Sequence, residues 1–458
     1  MKKKSALALA MMGGLKVKMT PWAGVAPLIE TMRQTEVGSK ADEVLPLKKS
    51  SKGLTSGQML ECFVLLSALG GECLEDMERL RQDGALSQIL GHGIPAPETA
   101  RQWLDRFHDE ELMAGRPLQG SFLPPESAGL AGLKEVNRHV VHAYRQNVKV
   151  SQRVTLDIDA HLVETDKAGA RYCYDGFKAF QPVLVCWAET GLILADEFRE
   201  GNVPASEGNK RLVDEACEEL PLGDWDIWIR SDSAAYEEEN LDHWRKWKFA
   251  VSADIGPQLR AVIEAVAEED WHFMEEKGGV RREWAEVVYV PSRKTEKKDT
   301  EPLRYLAVRL KRQQGGLFGD GVSVRHFGIV SNIWEMEGKA LLEWHRGKAG
   351  TIEHVHHVIK GELAGGVYPS GKHGANAAWL RLQVITHNLL QLLKAAVLPE
   401  EYANAEPKRL RFAVFTCLGQ VVCHARRVLL KTAEEVWVRL IQAAQEGAIA
   451  LMPPVRCT

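Results

Sequence analysis

Two aspartates stand where predicted strands end, and together their side chains can bind a metal ion. Asp159 closes the alternating segment 153–159, and Asp232 follows the apolar segment 225–231. If these strands are neighbours in a sheet, the two carboxylates lie close together. Close carboxylates repel each other and are costly to desolvate unless a divalent cation binds between them. Mg²⁺ suits such a site, because it binds one or two carboxylates and keeps places for water and phosphate oxygens.

A third carboxylate and two basic residues follow in the segment 344–360. Glu353 and Lys360 are seven residues apart and share a face if this segment is a helix. With Glu353 as the third ligand, two metal ions can clamp the attacking and leaving oxygens of an in-line phosphoryl transfer. We expect Lys360 and Arg346, which lies upstream, to contact phosphates.

These residues also have an ordinary structural interpretation. Strand-end aspartates are commonly solvated turn residues, and Glu353 with Lys360 can form a solvated helix face. His354, His356 and His357 suggest zinc, but a helix divides their imidazoles between faces, which favours ordinary helix positions. The order of strand aspartate, strand aspartate and helix glutamate turns these weak signals into one prediction.

The surrounding pattern predicts the elements that position these side chains. Three strands are followed by a helix, a strand, a helix and a strand, which is the order of a ribonuclease H-like α/β sheet. These predicted elements are strands 153–159, 181–188 and 191–198, helix 206–220, strand 225–231, a helix ending at 247 and strand 249–252. After residue 253 the pattern is β-rich, with alternating segments at 284–290, 303–310 and 323–331, and from residue 339 it is helical.

Composition excludes several classes of protein. The length of 458 residues suggests about three domains, and 45% hydrophobic with 26% charged residues is typical of soluble globular proteins. The eight cysteines form no C-x-x-C pair, which argues against a disulfide scaffold or a zinc ribbon. The apolar runs are too short to cross a membrane. We therefore predict a cytoplasmic protein without a membrane partner.

Basic residues cluster although the net charge is −4. Residues 1–18 contain five lysines and no acid, and residues 408–431 contain six basic residues and no acid. Residues 281–312, which include Arg293 and Lys294, contain ten basic and five acidic residues. Such clusters release counterions on meeting phosphates, so they predict surfaces that follow DNA.

The first part of the chain, residues 20–115, is predicted to be helical. In segment 94–107, prolines open a helix that buries Trp103, Leu104 and Phe107. The exposed side of this helix would present Arg101, Gln102 and Arg106. The pattern fits a helix–turn–helix whose second helix enters a major groove, and it fits equally well a three-helix bundle that only packs.

Taken together, these blocks resemble the DDE transposases of bacterial insertion sequences, most closely the insertion sequence 1380 family. The resemblance covers nearly the whole chain. The matching blocks are Ser56 to Gln58, Gly70-Gly71, 76–83, Leu156 to Asp159, Phe198 to Asn202, Arg230 to Ser233, Gly350 to Glu353 with Lys360, Ala375 to Trp379 and Asn388.

This resemblance implies Mg²⁺-dependent cleavage and strand transfer at terminal inverted repeats, with Mn²⁺ as a substitute ion. It implies that Asp159, Asp232 and Glu353 are both the catalytic and the metal-binding residues. Asp157 is the alternate to Asp159, because Ala160 follows where the family often has Ser or Thr. The implied partners are double-stranded DNA, from the transposon ends and the target, and a second copy of the chain in a synaptic homodimer.

In such a transposase, aromatic residues of the β-rich segment have a possible role at the DNA end. One of Trp271, Trp284 and Tyr289 would stack on a flipped base while a DNA hairpin forms or resolves. Core packing is the alternative interpretation of each ring.

The predicted architecture is a ribonuclease H-like mixed sheet interrupted by a β-rich insertion and flanked by helical regions. Its segments are a helical DNA-binding region (1–125), a connecting helix with the first part of the core (126–252), the insertion (253–338), the second part of the core with the catalytic helix (339–398) and a helical C-terminal region (399–458). Two other functions stay open. One is a structure-selective nuclease on the same core, and the other is a non-catalytic DNA-binding regulator derived from a transposase.

Overall fold

The computed structural model describes residues 17–47, 53–291, 301–314, 321–424 and 427–455. The fold is mixed α/β with one large mixed sheet, as the sequence predicts. The helices are α1 (Ala26–Gln34), α2 (Val37–Val44), α3 (Ser56–Ala68), α4 (Met77–Gln82), α5 (Gly84–Leu90), α6 (Pro97–Asp105), α7 (Glu110–Met113), α8 (Ala128–Asn147), α9 (Asn209–Glu218), α10 (Glu238–Trp244), α11 (Pro257–Glu264), α12 (Gly338–Arg346), α13 (Ile352–Glu362), α14 (His373–Ala396), α15 (Pro407–Leu410) and α16 (Glu435–Ile449). The strands are β1 (Met19–Thr20), β2 (Arg153–Ala160), β3 (Val163–Glu164), β4 (Arg171–Tyr172), β5 (Lys178–Phe180), β6 (Val183–Trp187), β7 (Leu192–Glu197), β8 (Asp226–Ser231), β9 (Lys248–Ala253), β10 (His272–Lys277), β11 (Val280–Val287), β12 (Arg304–Gln314), β13 (Gly321–Ser331), β14 (Gly419–His424) and β15 (Arg427–Thr432).

Helix α3 shows how local sequence sets the helical N-terminal part. Thr55 accepts a hydrogen bond from the backbone N–H of Gln58, whose side chain in turn accepts one from the backbone of Thr55. This capping box satisfies backbone donors that the first turn would leave unpaired. The helix ends before Gly70, whose φ of 86° suits a residue without a Cβ. Local sequence thus sets both ends of α3, within the part of the chain that is predicted to be helical.

The large sheet has nine strands in the order β10-β11-β12-β13-β9-β8-β2-β6-β7. Strands β2, β6 and β7 form an antiparallel meander, and β8 and β9 run parallel to β2. Strand β8 lies directly beside β2, as predicted for the two strands that precede the candidate aspartates. Residues Val154 to Ile158 of β2 are all buried, so both faces of this strand are covered.

The β-rich segment predicted over 253–338 does not form a sheet of its own. Its last strand, β13, pairs antiparallel with β9, so β10 to β13 extend the core sheet. The segment leaves the core after β9 and returns along that same strand. Trp284 of β11 then packs against Gly338 at the start of α12, where a Cβ would lie 2.2 Å from the ring.

The prediction of a wholly helical C-terminal region is wrong. Strands β14 and β15 form a hairpin that joins β1 in a three-stranded sheet. Val421 and Val422 of β14 pair with Leu430 and Leu429 of β15. β-Branched residues favour the extended backbone, and here a partner strand from the distant N-terminal part completes the sheet.

Helix α14 fixes the helical layer to the sheet through buried polar groups. Arg381 donates to Asp196 at 3.0 Å and to Glu126 at 2.5 Å. The Asn388 amide accepts from the N–H of Ile193 at 2.9 Å and donates to the carbonyl of the same residue at 2.8 Å. These bonds attach α14 to β7. No helix in the described part of the chain combines the length and apolarity that crossing a bilayer requires.

His387 of α14 predicts sensitivity to acid. Its Nε2 lies 2.8 Å from the carbonyl oxygen of Gly191, and burial lowers its pKa to about 4. Below about pH 6.5 the unfolded chain takes up a proton that the folded chain refuses, so stability is lost as the pH falls towards the folded pKa.

We expect His387→Gln to reduce the loss of unfolding free energy between about pH 7 and about pH 5 by about 2 kcal/mol. Urea titrations at the two pH values measure this difference. The same substitution at the exposed His424 is the control. An unchanged pH dependence in His387→Gln would contradict the assignment.

Candidate active site

Asp159 and Asp232 stand on neighbouring parallel strands at the same edge of the sheet. The register pairs Asp157 with Arg230 and Ile158 with Ser231, so Asp232 comes next to Asp159 as the chain leaves β8. Asp232 also begins a short 3₁₀ turn, where its Oδ1 accepts from the N–H of Ala234 at 3.1 Å. Both aspartates are half-buried.

Glu353 approaches this edge from the first turn of α13. The helix buries Ile352 and Val355 and leaves Glu353 exposed. Burial, together with the charges of Asp232 and Glu353, raises the pKa of Asp159 to about 6. Asp232 and Glu353 therefore both lie within electrostatic reach of Asp159.

Lys348 opposes this repulsion, and sequence reasoning missed it. Its Nζ lies 3.4 Å from Asp159 Oδ1, and the lysine lowers the pKa of that carboxyl. The side chain is only 11% exposed, so its charge is poorly screened by water. The available signal was a lysine in the glycine-flanked turn just before the helix of Glu353.

His356 is a second residue that the sequence left without a role. Its Nε2 lies 3.9 Å from Asp159 Oδ2 and has no hydrogen-bond partner among the described residues. Burial lowers its pKa to about 3, so the ring is neutral. The His161 ring lies 5.4 Å away, centroid to centroid, and its Nε2 is 3.0 Å from Lys360 Nζ. His161 thereby holds the predicted phosphate contact Lys360 beside the carboxylates.

Asp157, the alternate to Asp159, occupies a different environment. Its side chain is fully buried, and Arg230 donates to both carboxylate oxygens, at 2.6 and 2.8 Å. Because this ion pair uses both oxygens, Asp157 is the poorer candidate ligand. Arg346, the other predicted phosphate contact, is half-exposed and pairs with Glu275 at 2.9 Å.

The candidate DNA contacts of α6 lie on its outer side. Gln102 and Arg106 are exposed, and Arg106 donates to the carbonyl of Leu47 at 3.1 Å. Arg101 pairs with Glu75 at 2.7 Å. The buried side of this segment consists, as predicted, of Trp103, Leu104 and Phe107.

The two tryptophans proposed to stack on a flipped base are packed inside the protein. Trp271 and Trp284 are each 8% exposed. Arg309 covers the Trp271 ring at 4.2 Å from its centroid. The structure thus favours the packing interpretation, because neither ring offers a face to a base. Arg293 and Lys294 lie outside the described residues.

The helical histidines are divided between faces, as predicted. His354 and His357 are exposed, whereas His356 is turned towards Asp159. Ligand atoms of His357, Glu362 and Glu406 lie within 4.8 Å of one another. Lys408, at 3.3 Å from Glu362 and 3.0 Å from Glu406, already neutralises this pair.

Comparison with known protein families decides the class of the molecule. The family model described as "Transposase DDE domain group 1" matches residues 2–450. The chain belongs to this transposase family. It is a DDE transposase, an endonuclease whose reaction is DNA transposition, and enzymes of this class use divalent metal ions.

Comparisons with curated proteins and with solved structures do not refine this family assignment. No curated protein matches the transposase. Among solved structures it is similar to a piggyBac transposase synaptic complex with hairpin DNA, determined by cryo-EM, at a TM-score of 0.44 and 9% sequence identity. That similarity covers 85% of this chain and 80% of the other chain.

The raised pKa of Asp159 predicts that metal binding by the transposase depends on pH. Above about pH 6 the carboxylate is ionised and the affinity should be nearly constant. Below that value a proton competes with the ion, so the affinity should fall about ten-fold per pH unit. Calorimetric titration with Mn²⁺ between about pH 5 and about pH 8 measures it.

A Glu406→Gln background removes one ligand of the His357 group and keeps that site from contributing. An affinity that stays constant down to about pH 5 would rule out Asp159 as a ligand.

Proposed function

We propose that this transposase belongs to a bacterial insertion sequence of the insertion sequence 1380 family. It binds the terminal inverted repeats of its element and catalyses Mg²⁺-dependent cleavage and strand transfer. The observation that carries the proposal is that the charges of Asp232 and Glu353 act on the buried carboxyl of Asp159, whose pKa is raised to about 6.

The sheet supports the assignment of a ribonuclease H-like core. An antiparallel meander of β2, β6 and β7 continues into parallel β8 and β9 on the other side of β2. This arrangement puts the ends of β2 and β8 side by side and directs both aspartates to one edge. The helix of Glu353 then follows the β-rich segment, in the order that the resemblance implies.

The residues at this edge fit divalent ions. All three donors are carboxylates, which are the ligands that Mg²⁺ takes from proteins. Their oxygens do not all lie within 4.8 Å of one another, but Glu353 is exposed and can rotate towards the aspartates. When bound, two Mg²⁺ ions, or Mn²⁺ in their place, activate the attacking water or 3′-hydroxyl and stabilise the leaving oxygen.

The remaining side chains position the DNA and balance charge. Lys348 neutralises part of the carboxylate charge from inside the protein. Lys360 is exposed on α13 and reaches a phosphate without leaving the site. Arg346 releases its ion-pair partner Glu275 and then contacts a second phosphate. No covalent protein–DNA intermediate is needed, so none of these residues acts as a nucleophile.

Double-stranded DNA from the element ends and the target is the proposed partner, and two copies of the chain form the synaptic complex near the nucleoid. The exposed Gln102 and Arg106 support a contact with DNA by α6. The acid-poor sequence of segment 408–431 supports a second contact with DNA, because clustered cations bind phosphates whatever the net charge.

Neutralising either proposed ligand should separate cleavage from binding. We expect Asp232→Asn and Glu353→Gln to lose detectable cleavage of inverted-repeat DNA, because each removes a metal-binding charge. End binding, measured by gel shift, should stay within about two-fold of wild type. Asp224→Asn, an exposed aspartate before β8, is the matched control and should cleave normally. Nicking by either ligand variant would contradict the assignment.

Strand transfer distinguishes the proposed function from nuclease activity on the same core. Pre-cleaved ends with a free 3′-hydroxyl should be joined to target DNA in Mg²⁺, because the same carboxylates serve both steps. Joined products are measured on sequencing gels, with ends that carry a 3′-deoxy terminus as the control. Cutting without joining would indicate a structure-selective nuclease, and ion-independent footprints without nicking would indicate a regulator.

A further inference from the structure

A buried ion pair lies directly beneath the proposed carboxylate site. Asp157 of β2 and Arg230 of β8 are opposite each other in the parallel register. The guanidinium donates through Nε to Asp157 Oδ1 at 2.6 Å and through Nη2 to Oδ2 at 2.8 Å. Asp157 is 0% and Arg230 5% exposed. A fork of this kind is both stronger and more directional than a single charged contact.

The same two side chains also hold the segment that leads to Glu353. Arg230 donates through Nη1 to the carbonyl of Trp344 at 2.5 Å, near the end of α12. Thr351, the residue just before α13, donates its hydroxyl to Asp157 Oδ2. The connecting turn fits closely, because a Cβ on Gly347 would lie 2.7 Å from Arg230 Nη1. The ion pair therefore contacts both helix ends that flank the turn.

The spacing of these residues repeats that of the carboxylates. Asp157, Arg230 and Thr351 each precede one proposed ligand by two residues; those ligands are Asp159, Asp232 and Glu353. On a strand, residues two apart point to the same face, so the β2 and β8 members of each set lie one above the other. The buried set and the carboxylate set thus form two layers on the same three elements.

We propose that Asp157, Arg230 and Thr351 are positioning residues that fix the first turn of α13, and with it Glu353, relative to the two aspartates. The proposal rests on the proposed function, since it assigns these residues to the carboxylate site. Because Asp157 and Arg230 neutralise each other, they can fix the start of α13 without adding net charge beside Asp159. Glu353 itself is exposed on the first turn of α13, and the Thr351 hydroxyl connects the start of that helix to the ion pair.

Thr351→Val tests this connection with the smallest change, because it keeps the shape and removes the hydroxyl. We expect cleavage at saturating DNA to fall about 10- to 100-fold and the Mg²⁺ concentration for half-maximal rate to rise by a similar factor. The KM for DNA ends and the thermal midpoint should match those of the control variant Thr386→Val. Thr351→Ser should restore both the rate and the metal requirement.

Thr386→Val is the control, because it removes a buried threonine hydroxyl that only donates to the carbonyl of Leu382 in α14. Arg230→Lys is the second variant, which keeps the charge but removes the fork, and it should raise the metal requirement too. If Thr351→Val and Arg230→Lys both keep the wild-type metal requirement, the positioning role is wrong. The positioning role is also wrong if the two variants lose no more cleavage activity than Thr386→Val does at the same fall in thermal midpoint.

Mn²⁺ calorimetry without DNA keeps this test independent of the reaction. A weaker affinity in Thr351→Val supports the positioning role even if no inverted repeat is cut by the wild type, in which case only the proposed function fails. An unchanged affinity with a wild type that cuts DNA overturns the positioning role alone.

Discussion

A carboxyl group withdrawn from water beside two further carboxylates is the constraint on which the rest of this structure depends. Asp159 would keep its proton up to about pH 6, because burial and the charges of Asp232 and Glu353 all disfavour its ionised form. Lys348 is the counter-charge that the protein itself supplies. One buried lysine cannot balance three carboxylates, so a net negative charge remains at this edge of the sheet.

The course of the chain explains how Glu353 can reach this edge from so far along the sequence. The long segment between β9 and α12 begins and ends on the same strand, because β13 pairs with β9. Its strands lengthen the sheet without separating α12 from the core. The contact of Trp284 with Gly338 and the pair Arg346–Glu275 then attach α12 to the extended sheet. The segment therefore separates α12 from β9 in the sequence without separating them in the fold.

Sequence patterns predicted the parts that local rules decide. Alternation gave β2, and the prolines of segment 94–107 gave the start of α6, because both depend on residues near one another in the chain. The hairpin of β14 and β15 was missed, and the short strand β1 that joins it comes from the other end of the chain. Lys348 was missed because its role comes from packing beside Asp159, a residue that is distant in the chain, and its place in a glycine-flanked turn was the one local signal.

The choice between Asp157 and Asp159 shows where the limit lies. Both alternate onto one face of β2, so their own strand cannot tell them apart. The neighbouring strand does, because the parallel register sets Arg230 opposite Asp157 and brings Asp232 next to Asp159. An aspartate opposite an arginine becomes a neutral, buried pair, whereas an aspartate beside another aspartate is repelled by its charge. Asp157 and Asp159 thus differ in environment because their neighbours on β8 differ. The register between β2 and β8 sets those neighbours, and it is a property of the tertiary structure.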